Sequence, residues 1–186
     1  KGSLDETVFN EDVDKTGCDC CKYFDWTFSL AGGHYGGLNH PIYYAIEKGE
    51  RNELRFISPE EYMRAIARGF HMSYEESLKS GAINWDTVKK YANDMKNGDK
   101  FPIGWYKNST GGQEGRHRAL ALIEVGCKTM PVVVMSDVDR DEVKQMVIKY
   151  KDLPRETLNR IYVDKGYKGI SDLDWRTIRS YVEYRL

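Results

Sequence analysis

Apolar positions along the chain recur with two different periods, and the changes of period mark its elements. Leu54-Arg55-Phe56-Ile57 is short and apolar enough for a strand, and Ser58-Pro59-Glu60-Glu61 follows as a capping box with Pro at the first helical position. That pair predicts a helix through Tyr62, Met63 and Ile66 to about Gly69. A second helix is capped near Asn84 or Asp86: Trp85, Val88, Ala92 and Met95 recur at intervals of three and four, and Gly98 stands where a helix C-terminus wants it. Phe101 to Tyr106 reads as a strand, with Pro102 near its start, where a missing N–H is tolerated. Asn108 to Gly112 is a turn cluster. Gln113 to Arg118 then opens the apolar run Ala119-Leu120-Ala121-Leu122-Ile123, which ends at Val125-Gly126. Met130 to Met135 is a continuous apolar strand of the kind buried on both faces.

The last fifty residues predict three helices. One carries Val143, Met146, Val147 and Tyr150 on a stripe, and the next carries Leu158, Ile161 and Tyr162. The third opens at a capping box of Ser171 and Asp174 and carries Trp175, Ile178 and Val182. Residues 1–40, rich in Gly, Asp and aromatics, read as an irregular acidic arm. The expected organisation is therefore an arm over 1–40, an α/β core over 41–137, and a helical extension over 138–186 packed on that core.

Composition narrows the function classes. A chain of 186 residues with 40% hydrophobic and 31% charged residues can build one core, while the mean hydropathy of -0.65 leaves much of it facing water. No run approaches the ~18 to 20 apolar residues of a membrane-spanning helix, and residues 1–20 lack the apolar centre of a signal peptide. A soluble, cytoplasmic protein with no membrane partner is expected. The net charge of -1 argues against a surface that is basic throughout. Residues 1–35 are acidic and 138–186 weakly basic, so any nucleic-acid contact would fall in the later part.

Cys18, Cys20, Cys21 and Cys127 lack the spacing of a secreted disulfide framework, and reduced thiols are expected. The alternative is a Cys₃His zinc site borrowing His34 or His40. For His34, His40 and His71 surface or capping roles are the default, though Asn39-His40-Pro41 could fold over a pocket as a lid. Trp85 and Trp175 fall on helix stripes and are expected in the core. Of Trp105 and Tyr106, one could face a nucleobase.

The chemistry-bearing stretch is Gly111-Gly112-Gln113-Glu114-Gly115-Arg116-His117-Arg118. Its glycines let backbone approach a ligand, and the helix that follows presents unpaired N–H groups at a positive dipole end. Arg116 and Arg118 in that first turn oppose the dipole unless an anion compensates, and phosphate held by forked N–H bonds would do so. Glu114 would repel bare phosphate and makes more sense beside a ribose hydroxyl, an attacking water or Mg²⁺. His117 is a candidate for proton transfer or a further phosphate contact. The competing reading is architectural: Glu114 pairs with Arg118 at the helix start and His117 packs beneath the sheet.

The ordered combination from Trp85 to Met135 resembles the ParB/sulfiredoxin-like fold: a helix, a Pro-containing strand, the box Glu114-Gly115-Arg116-His117-Arg118-Ala119 opening a helix that ends at Gly126, and the strand Pro131-Val132-Val133-Val134. That resemblance implies a small mixed sheet with helices, with Leu54 to Gly69 as the preceding strand and helix. It also implies binding of a nucleoside triphosphate, ATP or CTP, with Gly112, Gln113, Gly115, Arg116, His117 and Arg118 around the phosphates and Glu114 on Mg²⁺. Sulfiredoxins carry a catalytic Cys where this chain has Arg116, so sulfinic-acid reduction is not expected. Partition proteins follow this domain with a helix-turn-helix reader, which the C-terminal helices do not convincingly show. The box wording also resembles ParB-like domains of phage or mobile-element proteins, which would place the chain in a host cytoplasm. Three functions follow: an NTPase, phosphotransferase or nuclease using Glu114 and His117; a nucleotide-responsive module for DNA or a phage or host protein, without turnover; or a structural domain of a phage or mobile element.

Overall fold

The computed structural model describes residues 6–8, 12–29 and 40–186. They form a mixed α/β fold in which six strands make one sheet. Its order is β1 (Glu6–Val8), β2 (Phe24–Ser29), β4 (Phe101–Lys107), β6 (Met130–Asp137) and β3 (Glu50–Ile57). The strands β2, β4 and β6 run parallel, while β1 and β3 are antiparallel additions at the two edges. The two-residue β5 (Gln113–Glu114) returns antiparallel to β4, Glu114 opposite Trp105. The buried run of β6, Val132 to Met135, is at most 1% exposed, as its uninterrupted apolar pattern requires.

Helix starts follow the side chains that cap them. Ser58 Oγ accepts from the Glu61 N–H at 2.9 Å to open α2 (Pro59–Gly69), and Asn84 Oδ1 accepts from Asp86 and Thr87 N–H to open α4 (Trp85–Lys96). Between them lies α3 (Tyr74–Leu78), a single turn with its own Ser73/Glu76 capping box. The helix α5 (Arg116–Val125) packs against α2 and α4 and ends at Gly126, whose φ of 90° only glycine adopts without strain. A second group joins α1 (Pro41–Lys48) to β3, α6 (Arg140–Tyr150) and α8 (Asp172–Tyr184), with α7 (Arg155–Val163) between the last two in sequence. Tyr167, past α7, donates to the Asn52 carbonyl at 2.5 Å and ties the C-terminal helices to β3. No helix among the described residues is long and apolar enough to cross a membrane.

Five expectations change, the last at His40. First, residues 24–29 are no irregular arm: β2 is a strand of the sheet, and Cys20, Phe24, Trp26 and Phe28 are buried in its core. Its apolar residues Phe24, Trp26 and Phe28 alternate strictly with Asp25, Thr27 and Ser29, a strand signal that the Gly- and Asp-rich composition of residues 1–40 outweighed. Its register against β4 shifts between Phe24 and Phe28, where Trp26 takes a left-handed φ of 61°. Second, Trp85 is 44% exposed at the first position of α4, whereas Val88, Ala92 and Met95 hold the buried face. Third, Trp105 and Tyr106 are buried in the core, neither exposing a ring face for a base. Fourth, the cysteines are not reduced thiols: Cys18 bonds Cys21 and Cys20 bonds Cys127, which also removes the Cys₃His site. His40 caps α1, its Nδ1 accepting from the Ile42 N–H at 3.2 Å, and is 2% exposed against the Tyr162 ring, so it is no lid. His34 and Asn39 lie outside the described residues.

Candidate functional site

The box sits where β4, β5 and three helices converge. Gly104 on β4 has no room for a side chain, because a Cβ there would enter the Glu114 carbonyl of β5. Gly115, at a φ of 130°, turns the chain from β5 into α5, and a Cβ there would meet the Tyr62 hydroxyl and the Arg118 guanidinium. These close approaches fix the path of the backbone from β5 into α5.

Gln113 faces inward, and its Oε1 accepts from the Arg116 N–H at 3.0 Å and lies 3.1 Å from the Tyr62 hydroxyl, which also reaches the Trp105 carbonyl. Burial raises the Tyr62 pKa, so that hydroxyl stays a proton donor. The side chain of Gln113 is thus a helix cap that arrives from β5. Gly112 donates its N–H to Thr110 Oγ1 in the turn before it.

Arg118 points away from solvent and is 7% exposed. Its guanidinium pairs with Glu114 Oε2 at 3.0 Å and donates to the Pro102 carbonyl. His117 lies beside α4, its Nε2 accepting the Asn84 N–H at 3.0 Å. An acceptor nitrogen must be unprotonated, and burial first, then Arg116, lowers this imidazole's pKa accordingly.

Arg116 differs from its neighbours. Its guanidinium has no ion-pair or hydrogen-bond partner among the described residues, and its side chain lines an apolar cleft of about 180 Å³ together with Met63, Ile66, Phe70 and Ile83. The N–H groups of His117 and Arg118, next in the first turn of α5, also lack acceptors among the described residues. An unpaired cation, two open N–H donors and an apolar slot meet at one helix start. Phe70, 50% exposed, and Met72, 39% exposed, line the same slot.

Of the residues singled out in the sequence, the fold brings Gln113, Glu114, Gly115, Arg116, His117 and Arg118 together, yet turns them in different directions. The fold adds no support for a metal at Glu114: one carboxylate oxygen pairs with Arg118, and no group of three metal-ligand side chains among the described residues includes it. Asp137 is bound to Lys107 and Ser109, and neither Asp86 nor Asp99 enters a ligand group with Glu114. The one cluster of three metal-ligand types among the described residues is Asp19, Cys20 and Cys127. There the sulfurs are bonded to each other, and Asp19 accepts the Lys128 and Thr129 N–H groups. Sequence reasoning missed the slot, because Met63, Ile66 and Phe70 come from α2 and its C-cap whereas Ile83 comes from the separate segment before α4. Exposed Phe70 just past the Gly69 helix end was the one available signal.

Comparison with protein-family models, curated proteins and solved structures finds no match for this chain.

Proposed function

We propose that the chain is a nucleotide-phosphate-binding module that takes a nucleoside triphosphate such as ATP or CTP and does not turn it over. The observation that carries this reading is the unpaired Arg116 guanidinium beside the open N–H groups of α5, with the apolar slot adjoining them. Phosphate supplies the anion that the helix start and Arg116 both favour. The slot accepts an apolar ring face and offers little that distinguishes one base from another: the Ser77 hydroxyl donates to the Tyr74 carbonyl and Ser80 Oγ accepts from the Ala82 N–H.

The enzymatic alternative asks Glu114 to hold Mg²⁺ or water and His117 to move a proton. Both are engaged elsewhere, Glu114 with Arg118 and His117 with the α4 cap, so binding without chemistry is the better fit. A partner, DNA or a phage or host protein, would then read the bound state.

Calorimetric titration with ATP, CTP, GTP and ADP, with and without Mg²⁺, tests this on the parent protein and on Arg116→Ala. Binding lost in Arg116→Ala with no phosphate released is the expected result. Metal-dependent release would reinstate the enzyme, and no binding by folded protein would leave the box as scaffold.

A further inference from the structure

The Cys18–Cys21 disulfide spans a C-x-x-C sequence and differs in surroundings from Cys20–Cys127 beside it. Cys21 lines a cleft of about 440 Å³ shared with Phe24, Trp26 and three lysines, Lys15, Lys22 and Lys100. Asp25 is the one acid lining that cleft among the described residues, and its Oδ1 accepts both the Thr27 N–H and hydroxyl. Lys15 is held 4.4 Å over the Trp26 ring and Lys22 5.3 Å from the Tyr23 ring centre. The cleft is therefore positive and has an aromatic wall. That wall is set by the left-handed backbone of Trp26, a conformation costly to a bulky side chain and concentrated at working sites.

We propose that Cys18–Cys21 is a thiol–disulfide exchange site for thiols that carry carboxylates, and that Cys20–Cys127 is the structural bond anchoring it. Cys18 is half-buried whereas Cys21 is 7% exposed, so Cys18 is the more accessible residue and takes the incoming thiolate, while Cys21 stays on the lysine-lined cleft beside it. Attack forms a bond from the incoming sulfur to Cys18, breaks the Cys18–Cys21 bond and sends the electron pair to Cys21, which leaves as a thiolate. A second thiolate attacks the incoming sulfur and leaves with it as a disulfide, and Cys18 takes the other electron pair. Two thiols are oxidised and one protein disulfide is reduced. The positive charge of the lysines sharing the cleft favours the thiolate that Cys21 leaves as. Once protonated, Cys18 has an acceptor waiting, the Thr129 carbonyl 3.3 Å from its sulfur. The anchor holds meanwhile: Asp19 keeps its bonds to Lys128 and Thr129, and the Cys20 N–H its bond to the Thr129 carbonyl at 2.9 Å.

The test exposes the folded, oxidised protein to reduced glutathione or to cysteamine at equal thiolate concentration. Free thiols are trapped by alkylation at intervals, and each disulfide is followed by peptide mass. Glutathione should open Cys18–Cys21 at least about tenfold faster than Cys20–Cys127, and faster than cysteamine does, with the preference shrinking in added salt. The triple variant Lys15→Gln/Lys22→Gln/Lys100→Gln, checked for an unchanged circular dichroism spectrum, should lose most of that preference. A cysteine peptide flanked by glutamates, run in parallel, tells whether the anionic thiol is taken free or within a chain, and faster opening by either upholds the site. The proposal is overturned if the two disulfides open together, if Cys20–Cys127 opens first, or if glutathione and cysteamine act equally on the parent protein.

Discussion

Two arginines two positions apart in one box have opposite fates. Arg118 is a buried cation whose carboxylate partner and carbonyl acceptor both come from the protein. Its replacement by Ala should cost about 1 to 3 kcal/mol in urea denaturation, since it leaves the Pro102 carbonyl without its charged donor. Arg116→Ala should leave the urea midpoint nearly unchanged and remove nucleotide affinity, because its side chain makes no ion pair or hydrogen bond among the described residues. The contrast between the two variants separates folding from binding. His40 supplies a further prediction. Burial holds its pKa down to about 4, below the 6.5 of an unfolded chain, so the unfolded state takes up the proton first. Stability present above pH 6.5 is then lost as pH falls towards 4, by about 2 to 3 kcal/mol at pH 4.5. His117 shifts in the same direction and adds to the loss. Denaturation midpoints at pH 7 and 4.5 measure it, and His40→Asn, which keeps a capping acceptor, should flatten much of the difference.

At the scale of elements, the seating of α5 decides what the box can do. The helix has no capping side chain at Gly115, and its first N–H is met by Gln113 from the adjoining strand. Gly104 and Gly115 permit that approach by leaving out a Cβ where backbone and the Arg118 head group pass. Gly104→Ala should therefore displace β5 from β4, lower stability by more than about 2 kcal/mol and abolish nucleotide binding together. Ser58→Ala, a cap remote from the slot mouth, should cost about 1 kcal/mol in the same denaturation assay and leave affinity intact. That strand, turn and helix order was legible before the structure: α2, α4, β4 and β6 begin and end close to where caps, Pro102 and the apolar runs place them. The short α3 and two-residue β5 were not, since neither is long enough to show a period.

For the whole molecule, the N-terminal strand β2 is stitched to the far end of α5 by Cys20–Cys127, while the box lies at that helix's near end. A bond between residues 107 apart restricts the unfolded chain strongly, and its loss through Cys127→Ser should lower stability by about 4 kcal/mol by denaturant titration. Cys18→Ser/Cys21→Ser removes a link between residues three apart and should cost far less. The expectation of free thiols failed because cysteine spacing carries no partner: Cys127 is brought to Cys20 by the pairing of the 18–21 segment with 127–129.

The sequence by itself determined the local structure and the ingredients of the site, since period, caps and turn residues act over a few neighbouring positions. From it follow the α/β class, the helix starts at Ser58 and Asn84, the buried β6 and a box with two arginines at a helix N-terminus. It also held both readings of Glu114 without choosing between them. Only the tertiary structure decided that Glu114 faces Arg118, that His117 accepts the Asn84 N–H, and that Arg116 alone stands at an apolar slot. Those outcomes depend on Pro102, Asn84, Met63 and Phe70, residues brought to the box by sheet register and helix packing, and such contacts leave no trace in the spacing of the box itself.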